Sequence, residues 1–499
     1  MNHSRTVKYA TETSKNQKQL LSRIAVGVMI VRGLEPEFPA AVDEQLIQIK
    51  EAPIESGAEI KDLRDLPWCS LDNDDSRDLD QLTVTRKTHG DDYCLLVAIA
   101  DVDALVKKDT PIDEHALINT RSVYTSARIF PMLPLKLSTD LTSLNPDEDR
   151  LAMVCEMHFS SAGHLKSSAI YRALVRNHVQ LAYDATSDWL EGQAQLPTAA
   201  LRVKDIESQL KVQDALAQKL KVLRHERGSL EFDIFQPRAN FVGDEIVEIT
   251  QQPHNRARQL IEEFMIATNG CTSRFLAAAG IYSLRRVVRS PERWLRIVKV
   301  AHENGYQLPQ EPDALALEAF LALKHKEDPV RFPDLSLLIV KLMGSGEYIV
   351  EKPSNHPVGH FGLAVSDYMH STAPNRRYPD LITMRLIKSI LAHEPPPYSV
   401  KELQDLAAHC TMQEDASKKV ERQLRKSEAA LWLRPWIGQY FNGIVTGANE
   451  KGTWIRIFEP PVEGRLLESP IDHTVGQLIR VKLISTHVER GFIDFASNE

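Results

Sequence analysis

Apolar positions between residues 62 and 390 follow two alternating habits. Short runs such as "YCLLVAIADV" and "RLAMVCEMHF" are apolar almost throughout, as strands buried on both faces are. Longer stretches such as "ARQLIEEFMIATNGCTSRFLAAAG" repeat their apolar residues at three- and four-residue spacing, as an amphipathic helix does. The alternation predicts one large mixed domain, α/β in the α+β sense, over residues 61–398. Within it "SPERWLRIVKVAHENG" predicts a helix with Ser290 as N-cap, Pro291 at the first helical position and Gly305 as the stop. Upstream, "IAVGVMIV" (24–31) is bounded by Arg23 and Arg32 and falls far short of the roughly 20 residues of a membrane span. It reads as a buried strand or a short helix.

The "PPP" at 395–397 marks a break. Ser399 and Glu402 then form an S-x-x-E capping box that opens a helical segment over 399–436. Beyond it the pattern shortens to strands separated by turns, "YFNGIVTGANEKGTWIRIF", "PVEGRLL", "VGQLIRVKLIST" and "RGFIDF", which predict a small closed β-barrel of the OB type over 437–499. Trp454, Arg456 and Phe458 on one of these strands are a candidate nucleic-acid platform as well as candidate barrel core. Residues 1–60 leave room for a short N-terminal module, helical or winged-helix.

Composition narrows the class. A chain of 499 residues exceeds one ordinary core, and 43% hydrophobic with 26% charged residues is the balance of a soluble globular protein. Lys and Arg total 60 against 68 Asp and Glu, a net charge of −8. That argues against a broad basic face for duplex nucleic acid and leaves room for a narrow basic channel. Cys69, Cys94, Cys155, Cys271 and Cys410 are odd in number, scattered and never in C-x-x-C spacing. They predict a reduced, cytoplasmic setting and argue against a thiolate zinc site. His356 and His360 are four apart, but Pro357 and Gly359 between them oppose the helix a zinc pair needs.

One segment carries unusual chemistry. "SLDNDDSRDLDQL" (70–82) holds five aspartates, Asp72, Asp74, Asp75, Asp78 and Asp80. Carboxylates so crowded raise each other's pKa unless solvent or a cation neutralises them. A calcium EF-hand loop starting at Asp72 fails, because its glycine position is Arg77 and its bidentate glutamate position is Thr83. A solvated acidic loop and a catalytic site for a divalent metal both remain. The D-x5-D-x-D spacing of Asp72, Asp78 and Asp80 leads straight into the apolar "LTV", which brings some of these acids near the core.

The acidic segment is followed by "LLVAIADVDALVKKDTPIDEHALINTRSVYTSARIFPMLPLKLSTDLTSLNPDEDRLAMVCEM" (95–157), and later by "RGSLEFD", "LIEEFMIATN", "HFGLAVSDYMHSTAPNRRYPDLITMRL" and "KKVERQLRKSEAALWL". In this order, over about 60–499, the chain resembles the ribonuclease II family of RNB-domain 3′ to 5′ exoribonucleases. The resemblance implies a metal-binding role for Asp72, Asp78 and Asp80, with Asp80 and Asp78 catalytic, and a catalytic Arg376 beside the scissile phosphate. It also implies that Tyr124 stacks on the terminal base, and that Glu263, Glu421 and Arg377 contact RNA. Taken alone, each has an ordinary reading as core aromatic, boundary acid or surface ion pair.

Two departures from the family pattern stand out. Its fourth aspartate, a metal ligand, is Gln81 here, whose amide oxygen coordinates without charge. Asp74 and Asp75 are candidates to restore that charge. The N-terminal segment is also too short for the family's two cold-shock barrels. The resemblance implies a cytoplasmic, monomeric hydrolase dependent on Mg²⁺, with Mn²⁺ able to substitute, that acts on single-stranded RNA without a membrane and releases 5′-mononucleotides. The competing readings are an RNA-binding protein of the same fold with a weakened or lost active site, and a DNA nuclease.

Overall fold

The all-apolar runs become the strands of one central sheet. In the computed structural model, residues 16–55, 57, 59–233, 237–251, 255–329, 331–353, 358–449, 452–467, 473 and 476–497 are described. Strands β1 (Ile60–Asp62), β2 (Cys69–Asp72), β3 (Gln81–Lys87) and β4 (Tyr93–Ala100) come first, followed by a two-residue hairpin, β5 (Val123–Tyr124) and β6 (Ile129–Phe130). After β7 (Asp149–Phe159), β8 (Leu165–Arg176) and β9 (Val179–Ala182), the seven-stranded sheet is complete in the order β1-β8-β7-β4-β3-β2-β9. Its two outer pairs, β1 with β8 and β2 with β9, are parallel and the rest antiparallel. Every residue of β4 is buried, which is why its sequence shows no alternation.

Helices α1 (Gln17–Val31) and α2 (Ala40–Gln48) precede the sheet, and no strand lies before β1 among the described residues. The "IAVGVMIV" stretch lies inside α1, which buries Leu21, Ala25 and Met29 at four-residue spacing while Ile30 and Val31 are exposed. Helices α3 (Pro111–Asn119) and α4 (Tyr183–Leu190) follow β4 and β9. The sheet face bearing Thr83 and Thr85 is covered by α5 (Ile206–His225), where Gln213 accepts from Thr83 Oγ1 at 2.9 Å and Gln209 from the Thr85 N–H at 3.0 Å. Beside it runs α6 (Arg256–Ala278). The hairpin β10 (Pro237–Val242) and β11 (Glu245–Gln251) joins the two helices.

Helices α7 (Trp294–Glu303), α8 (Ala314–Glu327) and α9 (Phe332–Met343) pack around a small core of their own, centred on Trp294, Ile297, Phe320 and Ile339. Helix α7 starts at Trp294 rather than at Pro291: residues 291–293 make a turn, closed by the Trp294 N–H on the Pro291 carbonyl at 3.0 Å. Strands β12 (Ser283–Val287) and β13 (Glu347–Glu351) pair across the base of this unit. Then come α10 (Tyr378–Leu391) and the 34-residue α11 (Val400–Leu433), whose Ser399 and Glu402 form both bonds of the capping box.

The chain ends in five strands, β14 (Tyr440–Asn449), β15 (Gly452–Ile457), β16 (Val462–Leu466), β17 (Leu478–His487) and β18 (Phe492–Ser497), closed into a barrel in the order β14-β15-β16-β18-β17. Ile455 and Ile457 point into the barrel core while Trp454, Arg456 and Phe458 alternate outward, half-buried. The turn between β17 and β18 reaches α11 at Gly491, φ +63°, where a Cβ would sit 2.6 Å from Lys426 Cβ; glycine is what lets the barrel seat there. Helix α11 links two cores: Leu403, Ala407 and Cys410 belong to the sheet's, and Val420, Leu424 and Leu433 to one shared with α1 and the barrel. Among the described residues no helix is long and apolar enough to cross a membrane.

Candidate active site

Strand β2 ends at Asp72, the chain turns, and β3 begins at Gln81, so the acidic segment is the turn between two neighbouring strands. Asp72 organises it, its Oδ1 accepting from the Asn73 N–H at 2.7 Å and Ser76 Oγ at 2.9 Å. Asp80 is anchored through its backbone, whose carbonyl accepts from the Ala100 N–H at 3.0 Å. Its carboxylate, 1% exposed, turns to the "TAPNRRY" segment before α10. There it accepts from the Asn375 N–H at 3.0 Å and from Arg376 Nε at 3.1 Å. The Arg376 side chain is 43% exposed, so it pairs with Asp80 while still facing an opening.

Tyr124, at the end of β5, donates its hydroxyl to Asp78 Oδ2 at 3.0 Å. Glu421 of α11 accepts from the Tyr124 N–H at 3.3 Å and from Arg121 Nη2 at 3.1 Å, which fixes the hairpin against the long helix. Asp78, Tyr124 and Glu421, with Arg258 of α6, line a cavity of about 570 Å³. Asp74 and Asp75 are exposed on the turn, and Asp75 alone of the two reaches the cavity wall.

Electrostatics single out the same residues. Burial pushes the Asp80 carboxyl up to about 7, against the pull of Arg376, with the Asp78 charge adding to the rise. Burial likewise raises Asp72, and Asp78 again pushes in the same direction. Carboxylates raised by burial beside a third carboxylate have the donor chemistry a divalent cation relieves, and an all-oxygen set suits Mg²⁺ or Mn²⁺. The residues fit such an ion. Gln81, 7% exposed, opens β3 with its amide nitrogen 3.5 Å from the carbonyl of Leu71, the residue before Asp72.

Three residues of the sequence reading stand elsewhere. Glu263 is 2% exposed and doubly bonded to Arg224, at 2.6 and 3.1 Å, beside a separate cavity of about 360 Å³. Its neighbour Glu262 reaches the same arginine, at 3.6 Å. Arg377 is tied to Asp380 at 2.7 Å and Thr372 at 3.3 Å at the start of α10, so it braces the arginine turn from inside. Arg456 makes a bidentate pair with Asp334 of α9, at 3.0 and 2.7 Å, and clasps the barrel to the helical unit. His356 lies outside the described residues; His360 packs edge-on against Tyr368.

The structure also adds residues. Arg258 donates to Asn73 Oδ1 at 3.2 Å and lies over the Tyr183 ring at 5.0 Å, supporting the acidic turn from α6. Asn269 accepts from the Ser371 N–H at 2.9 Å and holds the segment leading to Arg376. The spacing of Arg258, Glu262 and Asn269 on one helix face was the signal for them.

Residues 60–393 match the family described as RNB domain, and residues 439–497 match the RNase II-type exonuclease C-terminal S1 domain. Ribonuclease R of Escherichia coli (strain K12) is 34% identical over 457 residues, covering 87% of this chain and 54% of its own, so the chain spans about half the length of that relative. Among solved structures, Mycoplasma genitalium RNase R in complex with ribose methylated single-stranded RNA superposes with a TM-score of 0.85 at 22% identity, covering 96% of this chain and 78% of that one. Yeast Ssd1, a pseudonuclease, shares the fold with a TM-score of 0.70 at 16% identity, covering 92% of this chain and 58% of that one. A family match over most of the chain, on a fold with the carboxylates and arginine gathered at the sheet end, places this protein in the RNB-domain family, with an RNase II-type S1 barrel at its C-terminal end.

Proposed function

We propose that the chain is a divalent-metal-dependent exoribonuclease that hydrolyses single-stranded RNA from its 3′ end and releases 5′-mononucleotides. The observation that carries this is the buried Asp80 carboxylate, clamped by the Asn375 N–H and Arg376 Nε with Asp72 and Asp78 alongside. Cleaving a phosphodiester calls for an attacking water, a counter-charge for the phosphate oxygens and a fixed line of attack.

Asp72, Asp78 and Asp80, with the Gln81 amide, would hold the ion; bound there, it supplies positive charge at the phosphate and makes water a better nucleophile near neutral pH. The chain's own groups do the rest. Arg376 uses Nε on Asp80, so its outer nitrogens are left to grip phosphate oxygens and offset charge as the bond to O3′ breaks. Tyr124 offers a ring on which any base stacks, positioned by Glu421 through its backbone. The complex of the Mycoplasma relative with ribose methylated single-stranded RNA supports single-stranded RNA as substrate.

A second reading, an RNA binder without chemistry, is favoured by Gln81 and by the pseudonuclease of the same fold. The two separate on incubation with 3′-labelled single-stranded RNA, with and without Mg²⁺, alongside the matching DNA oligomer and Asp80→Asn. Release of labelled mononucleotide from RNA alone, dependent on Mg²⁺ and lost in Asp80→Asn, is the expected result. Binding without release would overturn the enzyme reading.

A further inference from the structure

The sheet carries a second set of metal-ligating side chains, remote from the acidic turn. Cys94 lies six residues along β4 from Ala100, roughly 20 Å at about 3.3 Å per residue. Directly opposite it on β7 is His158, and Glu156, two residues earlier, projects from the same face. Their ligand atoms lie within 4.8 Å of one another, the one such cluster among the described residues. Cys94 Sγ is 4.0 Å and His158 Nε2 3.0 Å from Glu156 Oε1. Tetrahedral zinc, with bonds of about 2.0 to 2.3 Å, spaces its ligand atoms by roughly 3.4 to 3.6 Å, so small side-chain adjustments close the triangle.

Three further features fit a metal. Tyr171 donates its hydroxyl to Glu156 Oε2 at 2.7 Å, which aims the other oxygen at Cys94 and His158 as an outer-shell partner does. A thiolate, a carboxylate and a neutral imidazole carry two negative charges, which a divalent ion cancels. The Glu156 and His158 side chains are 23% and 41% exposed, so the ion has a path in and a fourth position for water.

We propose that Cys94, Glu156 and His158 form a site for zinc or a similar borderline-soft divalent cation with an exchangeable fourth ligand. Mg²⁺ is a poor match for the thiolate, so this site and the carboxylate turn select different metals. C-x-x-C spacing does not reveal it, because the ligands come from facing strands.

The whole chain, stripped with a chelator and titrated with Co²⁺, should develop a thiolate-to-cobalt charge-transfer band in the near ultraviolet that saturates at one equivalent and is displaced by Zn²⁺. Cys94→Ser should abolish the band. Because Cys94 is buried, the partly exposed His158→Ala and Glu156→Gln provide independent tests, each expected to weaken Zn²⁺ at least about tenfold. Asp80→Asn should leave it unchanged. Absence of the band at one equivalent, or a band unaltered in all three variants, would overturn the site.

Discussion

Arg376 bears on Asp80 through Nε alone, so in the proposed function its value would lie in a planar fork that serves carboxylate and phosphate at once. Lysine carries the charge without the fork. Arg376→Lys should therefore rescue little of the loss in Arg376→Ala, with both lowering kcat by about 10²- to 10³-fold in single-turnover RNA hydrolysis. Gln81 makes the opposite case, a position where charge is missing. Gln81→Asp adds a carboxylate next to Asp80 in sequence and should lower the Mg²⁺ concentration for half-maximal rate, read from a metal titration. At this scale the sequence, through the family resemblance, named residues that the fold brings together: Tyr124 reaches Asp78, Arg376 reaches Asp80, and Asp72 feels the charges of Asp78 and Arg376. The surroundings of Glu263 were not legible: only the packed α6 shows that Arg224 binds it at 2.6 Å and reaches its neighbour Glu262 at 3.6 Å.

Elements were legible where their end signals stand alone. Ser399 and Glu402 set the start of α11 by satisfying free backbone groups locally, and that does not depend on what the helix packs against. Ser399→Ala should cost about 1 kcal/mol, read as a lower denaturant midpoint with unchanged slope. Helix α7 had an equally good local signal in Ser290 and Pro291, yet it starts three residues later at Trp294, whose ring is buried with Ile297 and Phe320. There packing outweighed capping. Strand β15 shows the same limit, since alternation put Trp454, Arg456 and Phe458 on one face while only the neighbouring α9 shows that Arg456 is committed to Asp334.

At the scale of the molecule, buried neutral imidazoles set a pH limit. Burial first, then the Arg286 charge, depress His360 to about 4 in the folded chain, while an unfolded histidine titrates near its ordinary value. The unfolded state therefore takes up the proton first. This contribution is complete above about pH 6.5 and declines as pH falls towards 4, by about 3 kcal/mol in all. His370, packed against Tyr348 and Tyr368 and also held below its ordinary value, works in the same direction. The raised Asp80 carboxyl works in the opposite sense, so the histidine effect is read as a difference: relative to His360→Gln, the denaturant midpoint of the unaltered chain should drop between pH 7 and pH 5.

Helix α11 runs without a break from the sheet core to the barrel core, about 50 Å at 1.5 Å per residue, with Glu421 touching the Tyr124 backbone on the way and the Gly491 turn seated on it near Lys426. It is a calliper. Its two jaws are the cavity at Glu421 and the barrel seated near Lys426, and on the proposed function an RNA too short to reach both would be gripped at one end only and released. The shortest fragment left by exhaustive digestion is then a reading of this helix, and Gly491→Ala, which pushes the barrel off its seat, should alter that length on a sequencing gel before it alters the rate of bond cleavage.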